Sequence, residues 1–117
     1  MNGIPDNLDL SNMIGSRLDA VALQEYQIVF QFDGGSSIIA EGTMDVTLTG
    51  DIVAQWKQKE GWSSVAFQRC VGTTVERIAI PSKKELDLYL SDGWVLRFYD
   101  DSTQYESFHI YPQDIHV

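Results

Sequence analysis

The feature that most constrains this chain is a pattern of apolar residues and glycines that occurs twice. Residues from Leu10 to Leu23 match residues 57 positions later, and after one inserted residue the match continues at 58 positions as far as Phe98. The matched pairs are Leu10 with Phe67, Met13 with Cys70, Ile14 with Val71, Gly15 with Gly72, Leu18 with Val75, Val21 with Ile78, Leu23 with Ile80, Ile28 with Leu86, Phe30 with Leu88, Phe32 with Leu90, Gly35 with Gly93, Ile38 with Leu96 and Ala40 with Phe98. The chain is therefore predicted to contain two similar units.

Two units of this kind favour one domain with internal pseudo-symmetry. A length of 117 residues is enough for a single domain with its own core. A solenoid is excluded, because it needs at least about three repeats to bury a continuous core. We expect a single domain, 1–117, built from repeats at about residues 8–50 and 64–112 that share one core.

Each unit predicts a short helix followed by strands. Leu10, Met13 and Ile14 have helical spacing before a glycine, and the second unit has the same pattern. Apolar residues then alternate with polar ones over about four segments per unit, and the pairs at 34–35 and 92–93 are typical of hairpins. The pattern predicts an α+β fold that is mainly antiparallel β, with a meander in each unit, forming one curved sheet or a two-sheet sandwich.

The segment Asp51–Trp62 fits two interpretations. Ile52, Val53 and Trp56 would share a helix face, whereas Ile52, Ala54 and Trp56 would share a strand face. We interpret the segment as the connection between the units, formed by an extended strand and a loop.

Net charge is the second informative feature. Seventeen acidic residues and eight basic ones give a net charge of −9. Up to Gln55 there are eight acids and one base, a sum of −7, and from Trp56 onward nine acids and seven bases, a sum of −2. This charge disfavours binding to nucleic acid or to an anionic membrane. It either keeps a small domain dispersed in solution or attracts a basic protein partner.

The single cysteine and the lack of a leader or membrane-span pattern bear on the expected cellular compartment. Cys70 has no partner for an internal disulfide, and its place on the apolar side of the second predicted helix favours a core position. No leader pattern occurs at the start, and no segment approaches the roughly 18 apolar residues of a membrane span. We expect a cytoplasmic protein.

No motif for catalysis or for a cofactor is present. The chain has no phosphate-binding loop, no Gly-x-Ser-x-Gly elbow and no Cys-x-x-Cys pair. His109 and His116 could bind a metal with Glu106 and Asp114 only if these side chains converged, but on a strand Glu106 and His109 point to opposite faces. We predict a protein without enzymatic activity, cofactor or metal.

Acidic residues are expected at outward positions of the first unit. If Phe30, Ile38 and Val46 face the core, their polar neighbours face solvent and form a carboxylate stripe. Like charges on adjacent strands are unfavourable, so such a stripe favours a partner, although a plain solvated face would have the same composition. The candidate partner-binding residues are the carboxylates Asp33, Glu41 and Asp45, their extension through Asp19 and Glu25, and the aromatic anchors Trp56 and Trp62.

The chain resembles small acidic bacterial proteins of unassigned function, of the kind found as immunity proteins to polymorphic or contact-dependent toxins. The resemblance rests on the segments Phe-x-Phe-Asp-Gly-Gly at 30–35 and Leu-x-Leu-x-Leu-Ser-Asp-Gly-Trp at 86–94. It covers most of the chain as a pattern and carries over no catalytic residue. It implies an immunity protein that neutralises a cognate basic toxin, such as a nuclease, by occluding the toxin's active site.

A second function is compatible with the same sequence. A β-rich domain with edge strands can associate with itself or bind a small ligand in the concave side of a curved sheet. Tyr99, Tyr105 and Tyr111 would then line the pocket.

Overall fold

The chain forms mostly antiparallel β-structure with few helical residues in the part that the structure describes. The computed structural model describes residues 3–5, 8–56, 64–101, 107–112 and 115–117. Within these ranges, no helix is long and apolar enough to cross a membrane. The elements are β1 Leu18–Leu23, β2 Ile28–Phe32, β3 Ser37–Ala40, β4 Met44–Leu48, β5 Asp51–Trp56, α1 Ser64–Gln68, β6 Val75–Ser82, β7 Glu85–Leu90, β8 Trp94–Tyr99, β9 Phe108–Tyr111 and β10 Ile115–His116, with 3-10 turns at Ser11–Met13, Asp33–Gly35 and Ser91–Gly93.

Most strands follow the predicted alternation of apolar and polar residues, but β6 does not, since Ile80 is 40% exposed. In β8, Trp94, Leu96 and Phe98 are buried, whereas the residues between them are partly exposed. The expected strand at 51–56 is present as β5, and residues 57–62 of the predicted connection lie outside the described residues. The first predicted helix is shorter than expected, because Ile14 is already extended and Gly15 adopts a φ of 90°.

The strands form two five-stranded sheets, and each sheet contains strands from both halves of the chain. The first sheet has the order β1-β2-β3-β9-β10, and the second has the order β5-β4-β8-β7-β6. The prediction of a four-stranded meander in each unit is wrong for the fourth strand. β4 does not continue beside β3 but pairs with β8, and β9 pairs with β3. A two-residue alternation defines which face a strand buries, but it does not define the neighbouring strand.

Backbone hydrogen bonds join the starts of the two halves. The Gly15 amide donates to the Val75 carbonyl at 2.8 Å, and the Gly72 amide donates to the Leu18 carbonyl at 2.8 Å. Gly15 has a φ of 90° and Gly72 a φ of 95°, in the left-handed region where a residue with a side chain would be strained. Further bonds at the same junction run from Leu18 N to Thr73 O and from Val75 N to Ser16 O, each at 2.8 Å.

Aromatic residues from both sheets meet in the core. Phe98 on β8 packs edge-on against Phe30 on β2, with ring centroids 5.5 Å apart, and lies 5.7 Å from the ring of Phe108 on β9. All three side chains are fully buried. Such contacts add to the area that the rings remove from water. Phe98 therefore bridges the second sheet to two strands of the first.

Replacing Phe98 by Ala should lower the free energy of unfolding by about 3–5 kcal/mol, because the substitution leaves a cavity where the ring packs between the two sheets. Ile52→Ala is the control, since Ile52 is 61% exposed and should change stability by less than about 0.5 kcal/mol. Urea unfolding measures both. An equally small loss of stability in both variants would contradict the central position of Phe98.

Candidate functional site

A row of charged and polar side chains crosses the outer face of the second sheet. On β4, β7 and β8 the apolar residues face the core, so the residues that alternate with them lie on the opposite face. Gln55 pairs with Asp45, Asp45 with Arg97, and Arg97 with Asp87. One row across four strands thus has an arginine between two aspartates.

Hydrogen bonds connect the members of this row. Arg97 donates to Asp87 from Nε to Oδ1 at 2.6 Å and from Nη2 to Oδ2 at 2.7 Å. Asp45 accepts from Gln55 Nε2 and from the Tyr99 hydroxyl, each at 2.6 Å. A two-point pair between a guanidinium and a carboxylate is among the stronger side-chain interactions and fixes both groups in orientation. The outer face is therefore an ordered network rather than a set of independent solvated side chains.

The two aspartates are unusually well covered for an outer sheet face. Asp87 is 0% exposed and Asp45 is 4% exposed. A carboxylate is costly to bury unless it is paired and hydrogen-bonded, which is the case for both. Arg97 is also 3.3 Å from Glu85, and its pKa is raised, first by the hydrogen bond with Asp87 and then by the nearby negative charges. Arg97 therefore remains charged throughout the ordinary pH range.

Tyr99 is the second hydrogen-bond donor to Asp45, beside Gln55. Burial, followed by the hydrogen bond to Asp45, raises the pKa of Tyr99 to about 12. An ionised Tyr99 would lose its donor proton and would face the Asp45 carboxylate with a second negative charge. The neutral hydroxyl is therefore the form that this arrangement stabilises.

Beside the charged row lies an open space of about 440 Å³, which we term the outer-face cleft. The cleft contains both charged and apolar groups, and Ile52 lies at its rim with 61% of its surface exposed. The charged residues of its lining are Asp45, Asp87 and Arg97, a sum of −1, and Glu85, which bonds to Arg97 but does not line the cleft, brings the sum of the network to −2. The lining residues are Asp45, Thr47, Gly50, Ile52, Asp87, Tyr89, Val95, Arg97 and Tyr99.

A second space of about 600 Å³, termed the adjoining groove, shares Gly50, Tyr89 and Val95 with the cleft. Here the Arg77 guanidinium lies over the Tyr89 ring, 3.9 Å from its centroid. Stacking on an aromatic face leaves the edge of a guanidinium available for hydrogen bonds. The adjoining groove is lined by Thr49, Gly50, Glu76, Arg77, Tyr89, Leu90, Gly93, Trp94 and Val95.

The turn between β4 and β5 shapes the boundary of both spaces. Thr49 has a φ of 48° and donates its amide to the Gly93 carbonyl at 2.9 Å. Gly93 has a φ of 85°, and a Cβ there would lie 2.8 Å from the Thr49 methyl group. Glycine at position 93 therefore permits the close approach of the two turns.

The predicted carboxylate stripe is not formed. Asp33 lies at the β2–β3 turn, where its Oδ1 accepts the Arg17 amide at 2.8 Å. Glu41 follows the other end of β3, and its amide donates to the Ser107 carbonyl at 2.8 Å. Asp45 is in the other sheet, so the three carboxylates share no face. The stripe was predicted from β3 and β4 as neighbours, which they are not.

The remaining predicted partner residues are also dispersed. Asp19 is exposed and pairs with Arg17 at 2.8 Å, and Glu25 is exposed at the β1–β2 hairpin. Trp56 is 0% exposed, and its ring lies edge-on to Phe67 at 6.2 Å, so the expected exposure of Trp56 was wrong. Trp62 lies outside the described residues.

The groups considered for chemistry are placed as follows. Cys70 is fully buried, as predicted, and burial raises its pKa to about 11, which disfavours the reactive thiolate. Glu106 and Asp114 lie outside the described residues, and among those described no three His, Cys, Asp or Glu side chains are grouped for a metal ion. Of the three predicted tyrosines, Tyr99 lines the cleft, Tyr111 belongs to the first sheet, and Tyr105 lies outside the described residues.

Sequence reasoning missed Asp87, Tyr89 and Arg97. The signal was present, because Asp87 alternates with leucines in β7 and Arg97 lies between Leu96 and Phe98. Opposite charges at outward positions of two strands joined by a tight hairpin are expected to pair.

Comparison with known proteins gives no relative: no protein-family model, no curated protein and no solved structure matches this chain.

Asp87→Ala should lower the free energy of unfolding by about 1–3 kcal/mol, because Arg97 loses its two-point partner. Since 36% of the Arg97 side chain is exposed, water partly replaces the lost bonds. Asp19→Ala is the matched control, because its pair with Arg17 is exposed on both sides and should contribute at most about 1 kcal/mol. Urea unfolding at neutral pH tests this; equal effects would show that the Asp87 pair contributes no more than a surface pair.

The Tyr99 pKa gives a prediction for alkaline pH. A raised pKa means that the neutral hydroxyl stabilises the folded state up to the unfolded pKa of about 10. This contribution is lost as the pH rises from about 10 through about 12. The tyrosinate absorbance of the native protein minus that of Tyr99→Phe should therefore show a group that ionises near pH 12, and a difference centred on pH 10 would contradict the network.

Proposed function

We propose that this protein is a non-enzymatic acidic binding protein that recognises a basic protein partner through the outer-face cleft. The observation that carries the proposal is the cleft itself, which Asp45, Asp87 and Arg97 line beside two tyrosine rings, with Glu85 bonded to Arg97. Asp45 and Asp87 are covered, so the accessible carboxylate is Glu85, whose side chain is 27% exposed. A lysine or arginine of a partner would find an acceptor in Glu85, next to a network whose charges sum to −2.

The residue types around the cleft also favour a protein partner. Tyrosine, tryptophan and arginine are the residues that most often dominate interface energies. Tyr89, Arg77 and Trp94 occur together in the adjoining groove, and Ile52 is an exposed apolar side chain at the cleft rim. A partner covering this face would bury these groups, while the polar network would set its orientation.

The specific role that we propose is that of a cytoplasmic immunity protein. The net charge of −9 would accelerate encounter with a basic toxin, such as a nuclease. The protein would then occlude the surface that the toxin uses for nucleic acid. The binding residues of this proposal differ from the sequence prediction, because Asp33 and Glu41 lie outside the cleft.

A second candidate is the binding of a small ligand, and the cleft volume favours it. About 440 Å³ lies within the range of roughly 300–1,000 Å³ that is typical of ligand sites. Tyr99, which the sequence placed in such a pocket, lines the cleft. A cationic ligand would fit the same charges.

We also propose that the chain consists of two equivalent units that exchange their last strands. Matched hydrogen bonds support this: Arg17 N donates to Asp33 Oδ1, and Thr74 N donates to Ser91 Oγ. Arg17 and Thr74 are 57 positions apart, and Asp33 and Ser91 are 58 positions apart, which are the two offsets of the sequence repeat. In this description β4–β5 and β9–β10 are the exchanged strand pairs.

The proposed function is tested by blocking the cleft. Val95 lines both spaces, so Val95→Arg would fill the cleft and repel a basic partner. Ile39→Arg is the matched control, because Ile39 is a partly exposed β-branched residue in the first sheet. In an affinity capture from the source cell that includes the product of the adjacent gene, Val95→Arg should reduce recovery of the partner at least about tenfold. Ile39→Arg should not.

The outcome is decided by the partner's identity and by the two variants. Mass spectrometry should identify a basic protein whose toxicity or nuclease activity is inhibited by the wild type and not by Val95→Arg. Capture that both variants retain would remove the cleft from the proposal. A wild type that captures no basic protein would contradict the immunity role and leave the small-ligand function.

A further inference from the structure

The strand β5 forms one end of the second sheet. Its neighbour on one side is β4, and within the described ranges no strand pairs with its other side. From Ile52 to Trp56 the strand carries no charged residue and no proline, and Ile52 is 61% exposed. A terminal strand of this composition is a template on which another extended segment can pair.

The other terminal strands of the two sheets are protected against such pairing. β6 contains Pro81 and two register shifts, and the chain just before it meets the chain before β1 at the Arg17–Thr74 bridge. On β1, Asp19 forms an exposed ion pair with Arg17, and β10 comprises two residues. Proline, charge, irregular register and short length all block sheet edges. Among the terminal strands that the structure describes, β5 is therefore the one best able to accept a partner strand.

The hydrogen bonds at both ends of β4 fix which of its residues bond to β8. The Tyr99 amide donates to the Thr43 carbonyl at 3.0 Å, and the Thr49 amide donates to the Gly93 carbonyl at 2.9 Å. Between these bonds, β4 and β8 pair without a register shift. Because bonded residues alternate in an antiparallel pair, every second residue counted from Thr43 bonds to β8, and the residues between them bond to β5.

This alternation gives two residues of β5 outward backbone groups. Ile52 and Gln55 lie opposite Thr47 and Asp45, which bond to β8. The N–H and C=O groups of Ile52 and Gln55 therefore point away from β4, to the open side of the sheet. Val53 is the extra residue of a bulge, so the outward groups are as far apart as two residues on a regular strand, about 7 Å. A regular partner strand can bond to both with its residues i and i+2.

We infer that the basic partner adds an extended segment to β5, as a further strand of the second sheet. This inference rests on the proposed function and adds the mode of binding. The charge favours a basic occupant over a second copy of the chain, because the residues up to Gln55 sum to −7 and two copies would repel each other. Ile52 also lines the cleft, so a segment paired with β5 is continuous with a partner that covers the cleft.

Blocked peptides test the pairing by NMR hydrogen exchange on the full chain. At roughly 10 mM, acetyl-Lys-Val-Thr-Val-Lys-amide should slow the exchange of the Ile52 and Gln55 amides about threefold, as expected for a dissociation constant of about 5 mM. The same peptide N-methylated at its first valine and at its threonine carries a methyl group on each edge and should lose the effect. Acetyl-Glu-Val-Thr-Val-Glu-amide keeps both edges but reverses the charge, and should bind at least about threefold more weakly.

A proline variant provides the control within the protein. Ile52→Pro removes one outward N–H, which an edge strand tolerates, and should abolish the slowing at Gln55. Ile52→Ala also loses the side chain but keeps the N–H, and should retain the slowing. If urea unfolding shows that Ile52→Pro does not fold, the comparison of the methylated and unmethylated peptides decides.

Three results would overturn the inference. The first is no slowing at Ile52 and Gln55 with the lysine peptide, and the second is equal slowing by its methylated form. The third is slowing that follows from raising the protein concentration alone, which would make a second copy the occupant of β5.

Partner capture separates this inference from the proposed function. If Val95→Arg abolishes capture but Ile52→Pro captures as much partner as Ile52→Ala, the cleft binds the partner without β5, and only this inference fails. If capture is insensitive to Val95→Arg, the proposed function itself fails, whatever the β5 amides show.

Discussion

The hydrogen bonding of β4 to β8 is the constraint on which the rest of the structure depends. It takes a strand of the first half of the chain into the sheet of the second half, while β9 makes the corresponding move into the first sheet. Asp45 is thereby placed beside Arg97, 52 positions further along the chain. Without this pairing, the charged row would end at β8, and the cleft would lack the wall formed by β4 and β5.

The two faces of the second sheet are stabilised by different kinds of interaction. On the inner face, Phe98 and its neighbours are buried against the first sheet, and many apolar residues of similar volume would satisfy that requirement. On the outer face, the covered Asp87 carboxylate needs one particular partner, Arg97, to compensate for its burial. The proposed binding site is placed on this face because an open space of about 440 Å³ lies beside the network.

The sequence predicted the local features of the fold and not their assembly. The alternation in β2, β7 and β8 and the glycine turns follow from local rules, which is why their positions were correct. The crossing of β4 was not predictable, because alternation carries no information about strand neighbours. The candidate site failed for the same reason: the carboxylate stripe required β4 to lie beside β3, and Trp56 was expected to be an accessible anchor although its strand turns it inward.

The central claim is that the outer face of the second sheet is the recognition surface. The most direct measurement is the NMR footprint of the captured basic partner on the isotope-labelled full chain. The account predicts that the amide signals of Tyr89, Val95 and Arg97 change most, and that those of β1–β3 change little. Changes concentrated around Asp33 and Glu41, on the first sheet, would contradict it and restore the site that the sequence first indicated.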